Sequence, residues 1–226
     1  MFPRRRVLAS IGAVLFLSLL PHAQQAPALP PDAEVLATIK QRVAEKRSAG
    51  IVVGLLDANG ATRVVAFGDP GPGQPPLDGD TVFEIGSISK VFTATALASL
   101  VLEGKVSLDD PVQKFLPASV TMPTRNGKAI TLGHLSSQNS GLPRMPSNFA
   151  PKDQSNPYAD YTVDQMYAFL SGYQLPRDPG DQFEYSNLGV GLLGHVLSLA
   201  TRTPYEQLER ERIWTPLGMS HTAIVF

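Results

Sequence analysis

Ser87 and Lys90 form the pair of residues with the most direct chemical use. They stand three residues apart, immediately before a charge-free apolar segment at residues 91–102. If Ser87 lies in the first turn of a helix, both side chains share one face, with Cβ atoms about 5–6 Å apart. A serine hydroxyl is a weak nucleophile until a base removes its proton, and a neutral lysine can be that base. The pair therefore predicts acyl chemistry, with a helix N-terminus beside the forming oxyanion.

Tyr185 and Asn187 form a second polar pair, between a Pro-Gly turn at residues 179–180 and an apolar segment that follows. A tyrosine can carry a proton between a serine and a leaving group, and an asparagine amide can hold a substrate carbonyl or an amine. The same residues also suit a loop tyrosine and a helix cap. Because Ser-x-x-Lys occurs roughly once by chance in a chain of this length, neither pair decides the function alone.

The elements that must position these residues follow from periodicity and turn signals. Asp32 is predicted to cap a first helix, and β-rich runs at 51–56 and 62–67 are joined by an Asn-Gly turn, which predicts an antiparallel hairpin. The segment 91–102 is apolar on nearly all sides, so we expect a helix buried at the centre of its domain. Further helices are predicted at residues 110–115, 131–136, 162–170, 188–199 and 204–213.

Composition limits the possible functions. The 226 residues are 43% hydrophobic and 17% charged, with a formal net charge of −1, which is typical of a globular protein and gives no electrostatic footprint for nucleic acid. The chain has no cysteine, so thiol nucleophiles and disulfides are excluded. Its four histidines are too far apart for a local metal motif, and it has no Gly-x-Ser-x-Gly elbow. Chemistry must come from hydroxyls, amines and carboxylates.

The first residues have the pattern of a secretory leader. Three arginines at positions 4–6 precede an uncharged, mostly apolar run at 7–20, which is shorter than the roughly 20 residues a membrane-spanning helix needs. We expect a signal peptide at 1–26 and a periplasmic or secreted protein. An uncleaved leader would be its only membrane anchor, and both general and twin-arginine export remain open.

Four stretches in order resemble the serine β-lactamase and penicillin-binding protein superfamily. The match is to the branch of class C β-lactamases, D-Ala-D-Ala carboxypeptidases and related esterases. These stretches are residues 81–117, 130–143, 179–194 and 216–222. The resemblance covers about residues 33–226 and implies an α/β (α+β) fold, in which helices flank an antiparallel sheet beside a helical region.

The resemblance also implies roles for single residues. Ser87 would be the acylated nucleophile, Lys90 its activating partner and Tyr185 the proton shuttle, while Asn187 would contact substrate. The resemblance implies no metal and no organic cofactor. It implies a substrate that is a small molecule or a peptidoglycan peptide.

Two departures from the family are visible. Family members commonly have Leu-Leu-Thr-His-Thr-Ser-Gly where this chain has a different sequence at residues 135–141. Gln138 and Asn139 in that stretch are candidate substrate contacts or simply loop hydrogen-bonders. The family's third motif, Lys-Thr-Gly or His-x-Gly, does not occur after Asn187. We therefore expect residues 27–226 to be a β-lactamase-related domain that is incomplete at its C-terminus, without the later strands.

Two functions follow from these observations. The first is an exported serine hydrolase that forms an acyl-enzyme at Ser87 with a β-lactam, a D-Ala-D-Ala peptide or a small ester. The second is a catalytically incompetent binding module or fragment. An isolated hairpin is only marginally stable, and without the later strands the apolar helix at 91–102 would lack a surface to pack on. We therefore also expect an exposed apolar helix face and aggregation.

Overall fold

The computed structural model describes residues 29–225, so the predicted signal peptide lies outside the described residues. Contacts divide the described residues into two compact units, with the boundary between Thr81 and Val82. No helix among the described residues is long and apolar enough to cross a membrane.

The first unit consists of one helix and a hairpin. Helix α1 (Asp32–Ala44) is followed by strands β1 (Gly50–Leu56) and β2 (Thr62–Gly68), which pair antiparallel from Gly50 opposite Gly68 to Leu56 opposite Thr62. Val35 and Ile39 of α1 pack against Val65 of β2 because they recur at helical spacing. The helix and both strands thus form as the apolar pattern predicts.

The predicted cap of α1 was wrong. Pro31 occupies the N-cap position without a side-chain hydrogen bond, and Asp32 is the first residue of the helix. The Asp32 carboxylate instead pairs with the Arg63 guanidinium of β2. This ion pair ties α1 to the hairpin.

The second unit is mainly helical. It contains helices α2 (Ser89–Leu102), α3 (Leu132–Ser136), α4 (Val163–Gly172), α5 (Asn187–Thr201) and α6 (Tyr205–Glu209). Between α2 and α3 lie a 3-10 turn (Val112–Phe115) and the strands β3 (Thr124–Arg125) and β4 (Lys128–Ala129), and a π-helical turn (Arg210–Trp214) follows α6.

Helix α5 is the centre of the second unit. Its buried side chains include Leu192, Leu193, Val196 and Leu197, each fully buried, and the helix packs against α2, α3 and α6. Residues 187–201 contain no lysine, arginine or carboxylate, so this helix enters the core without burying an unpaired formal charge.

Helix α2 departs from the prediction. One face is buried through Thr93, Ala96, Leu97 and Leu100, but the opposite face is exposed. The exposed positions repeat every three or four residues: Val91, Thr95, Ala98 and Leu102. The helix is therefore buried on one side rather than all around, although that exposed stripe is also apolar.

Candidate active site

A tight turn places Ser87 at the start of α2. Ser87 lies in a 3-10 turn (Gly86–Ile88) that continues directly into the helix, and Gly86 has a φ of +52°, which an L side chain rarely adopts. Lys90 is the second residue of α2, and its Nζ donates to Ser87 Oγ at 3.2 Å. The i, i+3 spacing thus brings the hydroxyl and the amine together, as the sequence predicts.

The fold brings Tyr185 to the same hydroxyl from a point 98 residues along the chain. The Tyr185 phenol oxygen lies 2.5 Å from Ser87 Oγ. Lys90 Nζ also lies 4.9 Å from the centroid of the tyrosine ring. Hydrogen bonds with Lys90 and Ser87 lower the pKa of Tyr185, and the positive charges of Lys90 and Arg144 lower it further. These contacts favour the phenolate.

Ser186 and Gln138 hold the segment that carries Tyr185. Ser186 is the N-cap of α5: its Oγ accepts from the Gly189 N–H at 2.8 Å and donates to the Pro143 carbonyl at 2.6 Å. The Gln138 side-chain oxygen accepts from the Ser186 N–H at 2.6 Å. The backbone on either side of the phenol is therefore fixed by the preceding loop.

Asn187 is the first residue of α5. Its backbone N–H donates to the Arg144 carbonyl at 3.0 Å, and its side-chain amide donates to the Met145 sulfur at 3.6 Å. Since a thioether is a weak acceptor, this amide keeps most of its hydrogen-bonding capacity for another group.

Two cavities meet at Asn187. The larger, about 860 Å³, is lined by Ser87, Lys90, Arg144 and Asn187 among others. The smaller, about 270 Å³, is mostly apolar, and its lining includes Met145, Phe149, Tyr161 and Met166. Asn187, Tyr158, Gly191 and His195 line both. The Ser87 hydroxyl in the first cavity thus has an apolar space beside it.

Gln138 and Asn139, the other predicted substrate contacts, do not line either cavity among the described residues. Gln138 has a left-handed φ of +60°, and its side-chain oxygen is occupied by the Ser186 N–H. The Asn139 side-chain oxygen is buried without a hydrogen-bond partner in the described structure, and its carbonyl accepts from the Gly180 N–H at 2.8 Å. Their observed contacts are within the loops that support the site.

Arg144 belongs to the site but has no sequence signal. It is exposed in the loop after α3, and its guanidinium carbon lies 5.1 Å from the centroid of the Tyr185 ring. A single arginine in a loop has no spacing to distinguish it from a solvated charge, so only the fold reveals this contact.

His134 and His195 hydrogen-bond to neighbouring side chains or backbone. His134 Nδ1 accepts from the Thr131 N–H at 3.2 Å, within the capping box of α3. His195 Nε2 lies 2.6 Å from the Tyr167 hydroxyl. Burial lowers the pKa of both. Among residues 29–225, no group of His, Asp and Glu side chains is arranged to hold a metal ion.

Comparison with known proteins identifies the family. The family model described as Beta-lactamase matches residues 35–225. The chain belongs to the β-lactamase family. The D-alanyl-D-alanine-carboxypeptidase/endopeptidase AmpH of Escherichia coli (strain K12) is 37% identical over 180 residues, which are 77% of this chain and 45% of AmpH. A β-lactamase of Providencia stuartii is 31% identical over 84% of this chain and 46% of its own length.

Solved structures agree with this β-lactamase assignment. A β-lactamase/D-alanine carboxypeptidase from Yersinia pestis superposes with a TM-score of 0.74 and 29% identity, over 85% of this chain and 55% of that one. The D-amino acid amidase from Ochrobactrum anthropi SV3 gives a TM-score of 0.68 and 28% identity, over 84% and 52%. The α+β fold and the family resemblance stated from four sequence stretches are therefore confirmed. The chain spans about half the length of the curated relatives it matches.

Proposed function

We propose that this protein is an exported serine hydrolase that forms an acyl-enzyme at Ser87. The observation that carries the proposal is the position of Ser87 Oγ, which lies 2.5 Å from the Tyr185 hydroxyl and 3.2 Å from Lys90 Nζ. A nucleophile within hydrogen-bond reach of both a proton acceptor and a cation is the arrangement that acyl transfer requires.

The proton path follows from these contacts. The Ser87 proton passes to the Tyr185 phenolate as Oγ bonds to the acyl carbon. Lys90 Nζ keeps its hydrogen bond to Ser87 Oγ throughout. The protonated tyrosine then gives that proton to the departing nitrogen or oxygen when its bond to the acyl carbon breaks. Water cleaves the resulting ester by the reverse sequence, so Ser87 regains its proton.

Family membership supports three substrate classes: β-lactams, D-Ala-D-Ala peptides and small esters. The relatives of this chain include β-lactamases and a D-alanyl-D-alanine carboxypeptidase. Asn187 lies where its side-chain amide can hold a substrate carbonyl, since it borders both cavities and, among residues 29–225, that amide donates to the weak Met145 sulfur acceptor. The role of Asn187 as a substrate contact is part of the proposal.

The second candidate function is a binding module that does not turn substrate over. It is favoured by one observation: the mostly apolar cavity of about 270 Å³ beside Asn187 can hold a ligand whether or not Ser87 reacts. Such a module would still acquire an acyl group if Ser87, Lys90 and Tyr185 remain competent, but it would fail to release it.

Labelling with a fluorescent penicillin tests the acyl-enzyme. We expect one label per wild-type chain and none on Ser87→Ala, because the ester forms on that oxygen. Ser99→Ala is the matched control, since Ser99 lies on the same helix and donates to the Ala96 carbonyl, away from Tyr185; it should label like wild type. Equal labelling of Ser87→Ala would overturn the proposal, as would a wild type that neither labels in a rapidly quenched reaction nor hydrolyses a p-nitrophenyl ester.

Hydrolysis of a chromogenic cephalosporin or a p-nitrophenyl ester separates the two candidates. Steady turnover that is lost in Ser87→Ala supports the hydrolase. Stoichiometric labelling without turnover supports the binding module instead.

A further inference from the structure

Two cations, not one, contact the Tyr185 ring. Lys90 Nζ lies 4.9 Å from the ring centroid and the Arg144 guanidinium carbon lies 5.1 Å from it. Both distances are within the range in which a cation is attracted to an aromatic face. The hydroxyl of the same ring is 2.5 Å from the Ser87 hydroxyl.

The backbone around Arg144 is fixed to the segment that carries the tyrosine. The Arg144 carbonyl accepts from the Asn187 N–H at 3.0 Å, and the preceding Pro143 carbonyl accepts from the Ser186 hydroxyl at 2.6 Å. These bonds attach the Arg144 loop to the start of α5, one and two residues beyond Tyr185. These two hydrogen bonds therefore hold the backbone of Arg144 beside the segment that carries Tyr185.

No described acidic group competes for Arg144. Among residues 29–225, no carboxylate lies within ion-pair distance of its guanidinium. Glu184, next to the tyrosine in sequence, is paired with Arg177. The other groups around the phenol are Ser87 and Lys90, so the charged groups that face it are both positive.

We propose that Arg144 is a positioning residue for Tyr185, holding the phenol against Ser87 and favouring its ionised form. This inference rests on the proposed function, in which Tyr185 accepts the Ser87 proton. It assigns a second cation to the site, from a loop that lies outside the Ser87, Lys90 and Tyr185 motifs. The lowered pKa of Tyr185, to which the charge of Arg144 contributes after the hydrogen bonds with Lys90 and Ser87, agrees with it.

The first test is the pH dependence of Ser87 acylation in Arg144→Gln and Arg144→Lys. If the phenolate accepts the proton, the rate rises with pH through the pKa of Tyr185. Loss of the cation raises that pKa, so the rising limb in Arg144→Gln should move to higher pH by roughly half a unit or more. The variant should be up to about tenfold slower below the limb and close to wild type above it. Arg144→Lys should recover most of the shift.

Arg210→Gln is the matched control. Arg210 also lies over an aromatic ring, 5.5 Å from the Trp214 centroid, and its removal changes the net charge by the same amount. Its pH profile should match wild type. An unshifted limb in Arg144→Gln would overturn the proposal, as would a rise in KM confined to anionic substrates, which would make Arg144 a substrate contact.

A second test needs no activity. The ultraviolet absorbance of phenolate is titrated in wild type and in Arg144→Gln, each against the same protein carrying Tyr185→Phe, so that the difference reports Tyr185. Burial raises the pKa of Tyr161, Tyr167, Tyr173 and Tyr205, so Tyr185 should ionise before these four. Its transition should move to higher pH in Arg144→Gln. A shift in a chain that no acyl compound labels would support the Arg144 contact and contradict only the proposed function.

Discussion

Glu209 carries a carboxyl group that the described fold buries without a counter-charge. It is 1% exposed at the end of α6, and neither of its carboxylate oxygens makes a well-aligned hydrogen bond among residues 29–225, although the Tyr205 hydroxyl is close enough to offset part of the pKa rise. The nearby Tyr205 hydroxyl lies 2.5 Å from Thr93 Oγ1. Burial raises the pKa of Glu209 above its ordinary value of 4.5. The native state therefore keeps this proton at pH values where the unfolded chain has released it.

The raised pKa of Glu209 makes the protein less stable as pH rises. A raised native pKa means that the unfolded state binds fewer protons, so the free energy of unfolding falls as pH rises from 4.5 towards the native value. Glu209→Gln removes this ionisation. We expect the free energy of unfolding of the variant to rise relative to that of wild type as pH rises, by about 1 kcal/mol at pH 8. The reason is that burying an ionised carboxylate without a counter-charge costs more free energy than burying an amide.

Urea unfolding at pH 5 and pH 8 measures that difference. Glu211→Gln is the control, because Glu211 is exposed and accepts from the Gln207 amide; it should change the free energy of unfolding by less than about 0.5 kcal/mol. Parallel pH curves for wild type and Glu209→Gln would show that Glu209 does not titrate in this range.

Residue spacing could predict only part of the candidate site. Ser87 and Lys90 are three residues apart on a helical segment, so local geometry suffices to place them together. Tyr185 reaches Ser87 across 98 residues: its chemistry made it a candidate, but only the family resemblance paired it with Ser87. Gln138 makes loop hydrogen bonds, one of the two roles stated for it, but neither its Ser186 partner nor the contact of Arg144 could be predicted, because both depend on how the loop after α3 meets the start of α5.

The helices and the hairpin of the first unit were predictable because their apolar residues repeat at a clear period. Thr131 and Thr162 each cap a helix with a side-chain oxygen, as such residues usually do. The two-residue strands β3 and β4 were missed because they are too short to show alternation. The surroundings of α2 were mispredicted because a uniformly apolar sequence does not indicate which face is covered.

Two leucines of α5 differ in burial, so substituting each by alanine measures the contribution of packing apart from that of helix propensity. Leu193 is fully buried, whereas Leu199 on the same helix is 37% exposed. Leu193→Ala should lower the free energy of unfolding by about 3 kcal/mol through lost transfer energy and a residual cavity. Leu199→Ala should cost under about 1 kcal/mol.

Chemical denaturation followed by circular dichroism gives both values. The two variants make the same chemical change in one helix, so any difference reports packing alone. Similar losses for both would mean that α5 is not the centre of the cooperative core.

The whole described molecule exposes an unusual amount of apolar surface near the candidate site. Val82, Phe83, Ile85 and Ile88 precede α2, and each is between 43% and 60% exposed. Val91 and Leu102 extend this surface along the helix, at 63% and 89% exposed. Single exposed apolar residues are ordinary, but contiguous ones drive association in water.

We expect the protein to self-associate through the exposed stripe of α2. Val91 and Leu102 lie eleven residues apart, three turns along one helix face, so a double Val91→Gln, Leu102→Gln variant makes that face polar while keeping the buried face. It should sediment closer to monomer and bind less of an apolar fluorescent dye than wild type, with the free energy of unfolding changed by less than about 0.5 kcal/mol. The control is Leu217→Gln with Val225→Gln, whose side chains are 70% and 74% exposed elsewhere. If this control reduces association as much as the α2 variant, general surface hydrophobicity rather than the stripe is responsible, and if neither does, the stripe is not an association surface.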